Sequence, residues 1–298
     1  MDRNERKSLR EIYDLKPGDF NTERKPTWCL GCGNYGIWNT IKKTFVKLKL
    51  MPHEILIVYG IGCAGNGTNF IKTYAFHSLH GRALPVATGA KLANHKLNVV
   101  IMGGDGDGVG IGGNHFIHTC RRNLDMTYIL HDNKIYGLTT GQTAPTSDRG
   151  FRTKSTPSGA LERPVNPVAM ALICGATFVA RGFSGDTKHL MDIMKRAIKH
   201  KGFSFIEVLQ PCVTFNKINT YDYYRDRIYK LEELKDYDRS SLDEAIKKSI
   251  EEERIPIGIF YEVDRPTYED GLKQIERKPL VDHMIADVDI NRLLNKFY

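Results

Sequence analysis

Apolar runs of four to six residues recur along the chain, at 55–59, 99–102, 127–131, 177–180, 204–209 and 257–262. Runs of this length, closed by Gly, Asp, Asn or Pro, predict buried strands. Between them lie segments with helical spacing. In residues 35–47 Ile37, Thr40, Ile41 and Phe45 share one face, residues 87–93 are small, and 187–201 is amphipathic and stopped by Gly202. Further helices are expected over 167–174 and, for about three turns, from near Gly112. Strands alternating with helices indicate an α/β fold with a doubly wound, mostly parallel sheet, which binds ligands at the carboxyl ends of its strands. The polar span 143–164 is long for a plain connection, so it is expected to be a functional loop beside the site. Residues 1–25 read as a polar leader with a short helix and an arm, 26–220 as the α/β domain, and 221–298 as a helical C-terminal extension. The last part of that extension, 271–298, is expected to wrap the core or a neighbouring chain.

Composition narrows this picture. The 298 residues carry 43 basic and 35 acidic side chains, a formal charge of +8. That surplus suits a solvated surface or a face for an acidic partner. No compact Lys/Arg block is interleaved with aromatics, which argues against nucleic acid. The leader is charged throughout with no signal-peptide core, and no apolar run is long enough to cross a bilayer. A soluble, cytoplasmic protein is expected. In that reducing compartment six cysteines point to metal ligation or catalysis rather than disulfides.

The chemistry concentrates between Gly103 and Gln142. Asp105 and Asn133 stand at the ends of two successive predicted strands, 28 positions apart. A carboxylate and an amide oxygen held this way suit Mg²⁺ on a diphosphate, and the carbonyl of Ile135 can add a third ligand. Gly104 and Gly106 let the backbone approach, and a helix beginning near Gly112 offers its N–H groups to the diphosphate. The same loop also matches a dinucleotide fingerprint through Gly108, Gly110 and Gly113, with acidic Asp132 about twenty positions on. That alternative, an NAD-dependent oxidoreductase, leaves Asp105 and Asn133 without a role.

Cys29 and Cys32 form a Cys-x-x-Cys turn between glycines, while Cys63 and Cys212 follow predicted strands. Four thiolates can hold a [4Fe–4S] cluster or a structural zinc in a binding module. A single Cys-x-x-Cys knuckle, where zinc sites usually have two, favours the cluster. Cys120 and Cys174 fall within predicted helices and read as core residues. The pairing of the two sites is informative. Thiamine chemistry on a 2-oxo acid releases electrons that an adjacent cluster can accept singly, and hydride transfer needs no such neighbour.

The motifs WCLGCG, YGIGCAGN, LHGRALPVATGAKLAN, GGDGDGVGIGGNH, DNKIYGLTTGQ and QPCVTFN follow one another in an order that resembles the β subunit of the 2-oxoacid:ferredoxin oxidoreductases, the group of the pyruvate and 2-oxoglutarate synthases. The match runs from Trp28 to about Gln142 and resumes around Cys212. The resemblance implies the thiamine diphosphate-binding fold and oxidative decarboxylation of a 2-oxo acid to an acyl-CoA, with electrons passed to ferredoxin. It implies Cys29, Cys32, Cys63 and Cys212 as [4Fe–4S] ligands, and Asp105, Asn133 and the Ile135 carbonyl as ligands of Mg²⁺. Ile61, Gly62, Cys63, Ala64, His80, Gly106, Asp107, Gly137 and Leu138 would contact thiamine diphosphate. The glutamate that activates the thiamine ring is expected on the family's α subunit, alone or fused with or accompanied by γ, so no catalytic acid is assigned here. Where the family often reads Thr-Lys-Gly-Gln, this chain has Thr139-Thr140-Gly141-Gln142, without the cation.

Overall fold

The computed structural model describes residues 14–284 and 289–298. The first part of the expected leader, through residue 13, and residues 285–288 of the extension lie outside the described residues.

The predicted apolar runs become the middle of one eight-stranded sheet. In chain order its strands are β1 (Ile55–Tyr59), β2 (Tyr74–His77), β3 (Asn98–Gly104), β4 (Met126–Asp132), β7 (Phe178–Phe183), β8 (Phe203–Leu209), β9 (Ile228–Lys230) and β10 (Ile255–Glu262). Ile135–Tyr136 (β5) and Gln142–Thr143 (β6) make a separate two-stranded ladder. Across the large sheet the order is β2-β1-β3-β4-β8-β7-β10-β9. The pairs from β2 to β7 are parallel, and β10 reverses direction against β7.

Alternating side chains divide the core between the two faces of the sheet. Val99 and Ile101 of β3 join one cluster with Leu84 and Ala87 of α2 (Ala83–Ala93), Phe116 of α3 (Gly113–Arg122) and Val168 of α4 (Pro167–Ile173). Val100 and Met102 join the other, with Ile37, Ile41 and Phe45 of α1 (Asn34–Lys47) and Leu190, Ile193 and Met194 of α5 (Thr187–Lys199). Helices thus cover both faces, as the doubly wound reading requires.

Register sets where the strands stop. Tyr59 pairs with Met102, Gly104 with His131, and Asp132 with Leu209. β3, β4 and β8 therefore reach past the end of β1, and the Gly60–Ala64 turn folds back over the step they leave.

The helix expected from near Gly112 is α3, which begins at Gly113 with Gly112 at its N-cap. Three features go beyond the sequence reading. Ahead of that helix, Gly106–Ile111 form a wide π-type turn with Asp105 at its N-cap. Glycine density permits that turn, and π-turns are frequent at functional sites. The stretch 221–254 is less helical than its composition predicts. It holds helix α6 (Tyr221–Arg225), β9 and helix α7 (Leu242–Ser249), because backbone pairing of β9 with β10 overrides the helix propensity of Lys and Glu. β2 is an edge strand exposed along its whole length, which the apolar pattern did not reveal. Among the described residues no helix is long and apolar enough to cross a membrane.

Candidate active site

Five strand ends build one cleft. The turn after β1 supplies Ile61, Gly62, Cys63 and Ala64, and the loop after β2 supplies His80. The turn after β3 contributes Gly104, Asp105, Gly106 and Asp107. From beyond β4 come Asn133, Ile135, Tyr136, Gly137 and Leu138, and from the end of β8 comes Gln210. Every cofactor and Mg²⁺ residue expected from the sequence lines this one space. The wall also includes His131, Tyr136, Thr139 and Gln210, which the sequence reading did not assign to it.

Asp105 is only 2 % exposed. Burial pushes its carboxyl up to about 6, against the pull of Thr146 and Lys134, so its anionic form is short of positive partners. Thr146, from the 143–164 loop, places its Oγ1 2.6 Å from Asp105 Oδ2 and 2.8 Å from Asp132 Oδ1. A hydroxyl has one proton, so it donates to one of these carboxylates at a time. Burial raises the Asp132 carboxyl well above its usual range, and the neighbouring Asp105 and Glu207 raise it further. Lys134 answers that charge from behind. It takes left-handed backbone (φ 58°) and donates from Nζ to Asp148 Oδ1 at 2.8 Å and to the Thr146 carbonyl at 3.1 Å.

Asn133 Oδ1 accepts from Ile135 N at 3.0 Å, which leaves its second lone pair for another partner. His131 donates from Nδ1 to Asn34 Oδ1 at 2.8 Å, while its Nε2 is buried with no protein partner. Burial drives that imidazole down to about 3, so it is neutral.

Asp107 ties the cleft walls together. Its Oδ1 accepts from Ile61 N (3.0 Å) and Gly81 N (2.7 Å) and meets His80 Nδ1 at 2.8 Å. Gly60 is required here, because a Cβ would stand 1.8 Å from Asp107 Oδ2. Two of the three glycines of the alternative fingerprint face protein: a Cβ on Gly108 would meet Tyr128 Oη at 1.8 Å, and one on Gly110 would meet Pro145 Cγ and Tyr136 Oη at 2.9 Å, while Gly113 faces open space. Gly108 and Gly110 thus serve packing of the π-type turn.

The four expected cysteines gather at one side of this cleft. A Cβ on Gly137 would stand 3.6 Å from Cys63 Sγ and 3.7 Å from Cys212 Sγ. Burial pushes Cys32 up to about 12, helped by the charges of Cys212, Cys63 and Cys29. Cys63 rises to about 11 by burial, then through Cys212 and Cys29. Trp28 Nε1 anchors the Cys63 carbonyl at 2.7 Å, and Trp28 stacks edge-on with Tyr35, Trp38 and Phe70 to fix the Cys-x-x-Cys knuckle. Its tip points outward, with Cys29 exposed and Leu30 92 % exposed. Among the described residues no group of three or more His, Cys, Asp or Glu side chains closes on a single ion. Cys120 and Cys174 lie in and against the core, as expected.

Two family models match this architecture. One is the thiamine pyrophosphate enzyme, C-terminal TPP binding domain, over residues 60–208. The other is the C-terminal part of the pyruvate ferredoxin oxidoreductase β subunit, over residues 212–277. A 2-oxoacid:ferredoxin oxidoreductase subunit β from Sulfolobus is 48 % identical over 259 residues, covering 83 % of this chain and 85 % of that one. Subunit β of 2-oxoacid:ferredoxin oxidoreductase 1 from Aeropyrum pernix is 46 % identical over 284 residues, 92 % of this chain and 89 % of its own. The chain belongs to the 2-oxoacid:ferredoxin oxidoreductase β-subunit family. A solved 2-oxoglutarate:ferredoxin oxidoreductase from Magnetococcus marinus, with 2-oxoglutarate, coenzyme A and succinyl-CoA bound, superposes with a TM-score of 0.88 at 39 % identity. That match covers 96 % of this chain and 97 % of the other.

As a β subunit of this family the protein is part of an oxidoreductase, and its thiamine pyrophosphate domain spans the strands that line the cleft from Gly60 to the end of β8. The second matched segment begins at Cys212, where the chain leaves the sheet beside the other thiols. Thr146 and Gln210 are among the residues that sequence reasoning missed. The signals available were modest: Thr146 lies in the loop already expected at the site, and Gln210 directly precedes Pro211-Cys212.

Proposed function

We propose that this β subunit binds Mg-thiamine diphosphate and a [4Fe–4S] cluster, and that with its α subunit it oxidatively decarboxylates a 2-oxo acid to an acyl-CoA, passing electrons to ferredoxin. One observation carries the reading. Cys63 belongs to the cofactor cleft and to the four-thiol cluster at once, with its sulfur and that of Cys212 over Gly137.

The residues present fit both groups. A deeply buried carboxylate at Asp105 and an amide oxygen at Asn133 meet in one cleft and form the hard-oxygen donor set that Mg²⁺ takes, with the Ile135 carbonyl as third ligand. Gly106 and Asp107 present the start of the π-type turn to the diphosphate, and Ile61–Ala64, His80, Gly137 and Leu138 line the cofactor. Cys29, Cys32, Cys63 and Cys212 hold the cluster. When bound, thiamine diphosphate supplies the electron sink for decarboxylation and the cluster a one-electron acceptor. Asp107 keeps the Ile61 and His80 walls in place, and Lys134 offsets the charge of Asp132 behind Asp105.

The carboxylate that activates the thiamine ring is brought by the α subunit. The surplus of eight positive charges and the outward Cys29–Leu30 tip suit an acidic carrier at the surface. Six free thiols suit a cytoplasmic setting.

Anaerobic purification with metal analysis tests this reading. About four irons per chain are expected, together with Mg-dependent binding of thiamine diphosphate. Zinc without iron sinks the cluster assignment. Adding an α subunit should start 2-oxo acid-dependent acyl-CoA formation, and turnover by this chain alone would contradict the half-site.

A further inference from the structure

We infer that Gln210 is a positioning residue that joins the Mg²⁺ clamp to the cluster, holding Asn133 with one end of its amide and donating a hydrogen bond to the Cys32 sulfur with the other. The inference rests on the cofactor reading proposed above and assigns a residue which that reading leaves unused.

Gln210 is 1 % exposed and sits at the end of β8, where its backbone N donates to the Asp132 carbonyl at 2.8 Å. Its Oε1 accepts from Asn133 Nδ2 at 3.3 Å, and its Nε2 lies 3.3 Å from Cys32 Sγ and 3.3 Å from the Pro211 carbonyl. The orientation of the two amides follows from a fixed donor. Ile135 N–H can only donate, so Asn133 must turn Oδ1 to it. Asn133 Nδ2 then faces Gln210, which must answer with Oε1. Nε2 is left facing sulfur and a carbonyl, both acceptors. Sequence makes room for this path at Gly33, where a Cβ would stand 2.7 Å from Gln210 Cγ.

The physical consequence differs at the two ends. At Asn133 the contact fixes the side chain whose oxygen faces the clamp, and outer contacts of this kind orient metal ligands. At Cys32 an N–H directed at a thiolate stabilises its negative charge, more so once the cluster has gained an electron, and so raises the reduction potential. One buried amide therefore both orders the clamp and eases electron arrival at the cluster.

Two substitutions separate the ends. Gln210→Glu keeps an oxygen for Asn133 Nδ2 and replaces the donor at Cys32 with a carboxylate oxygen. Gln210→Met removes both contacts at similar volume. With the anaerobically loaded protein, redox titration followed by electron paramagnetic resonance should show a more negative midpoint potential in both variants. Mg-dependent affinity for thiamine diphosphate should fall about fivefold in Gln210→Met, the loss of one hydrogen bond, and stay close to wild type in Gln210→Glu. A merely structural role would lower iron content or melting temperature and leave the potential of the remaining cluster where it was. An unmoved potential in both variants with iron intact overturns the inference. If neither variant folds, wild-type protein labelled with ¹⁵N in its glutamine side chains decides: the reduced cluster should show a ¹⁵N hyperfine coupling, and its absence overturns the contact. Wild-type protein that loads no iron refutes the cluster reading itself, which distinguishes the two failures.

Discussion

Thr146 illustrates how much of this site depends on single side chains. Its hydroxyl faces two buried carboxylates, Asp105 and Asp132, that would otherwise repel each other across the cleft floor. Replacing Asp105 with Ala should abolish Mg-dependent thiamine diphosphate binding and leave iron content at the wild-type level. Thr146→Val should weaken Mg²⁺ by about 10–100-fold, the usual effect of losing an outer hydrogen bond to a metal ligand. Titration calorimetry with Mg²⁺ and the cofactor, alongside iron analysis, reads both; unchanged affinity in Asp105→Ala removes it from the site. Asp107 makes a different demand. Asp107→Ala strands the N–H groups of Ile61 and Gly81, so about 2–4 kcal/mol of stability should be lost. Asp107→Asn, which keeps an acceptor oxygen, should recover part of it in a denaturant titration. The sequence pointed to Asp105 and Asn133 because each follows an apolar run. It was silent on Thr146 and Gln210, because their partners lie 41 and 77 positions away and only the fold brings them together.

At the scale of elements, the central strands were legible because both of their faces are buried and their runs are uniformly apolar. β2 and β9 were not, since an edge strand has one neighbour and no buried face to impose a pattern: all four residues of β2 are exposed. The π-type turn before α3 was not legible because a run of glycines carries no periodicity. The end of α5 offers a test of the fold independent of its cofactors. His200 closes that helix, lies 2.8 Å from Thr177 Oγ1 through Nε2 and packs on Phe178. Burial holds it below its ordinary value of 6.5, against the pull of Glu262, Asp264 and Asp125. A depressed histidine stays neutral when folded and takes a proton when unfolded. Its contribution to stability is therefore present above 6.5 and lost as pH falls below that value. The stability difference between wild type and His200→Gln should shrink from about pH 7.5 to about pH 5, read as the gap in melting temperature. A gap that widens in acid would show that His200 is not held neutral.

At the scale of the whole molecule, charge bears on the proposed electron partner. Its charge of +8 and the projecting Cys29–Leu30 tip predict that reduction of an acidic ferredoxin slows as salt rises, since screening removes long-range attraction. The reconstituted complex should lose ferredoxin-dependent rate between about 20 and 200 mM salt, while reduction of an uncharged dye stays level. Equal salt dependence for both acceptors would remove electrostatic docking from the account.

β4 and β8 pair over seven positions, from Met126 with Phe203 to Asp132 with Leu209, and Asn133 and Gln210 leave the sheet side by side at the next step. On the proposed function, the spacing between the Mg²⁺ clamp and the cluster is thus written into a ladder of backbone hydrogen bonds. A slip of one residue would turn every side chain of β4 to the wrong face, so that ladder resists drift. On the same proposed function, a change in the 143–164 loop should alter which acid is accepted while the distance between cofactor and cluster, set by this ladder, stays the same.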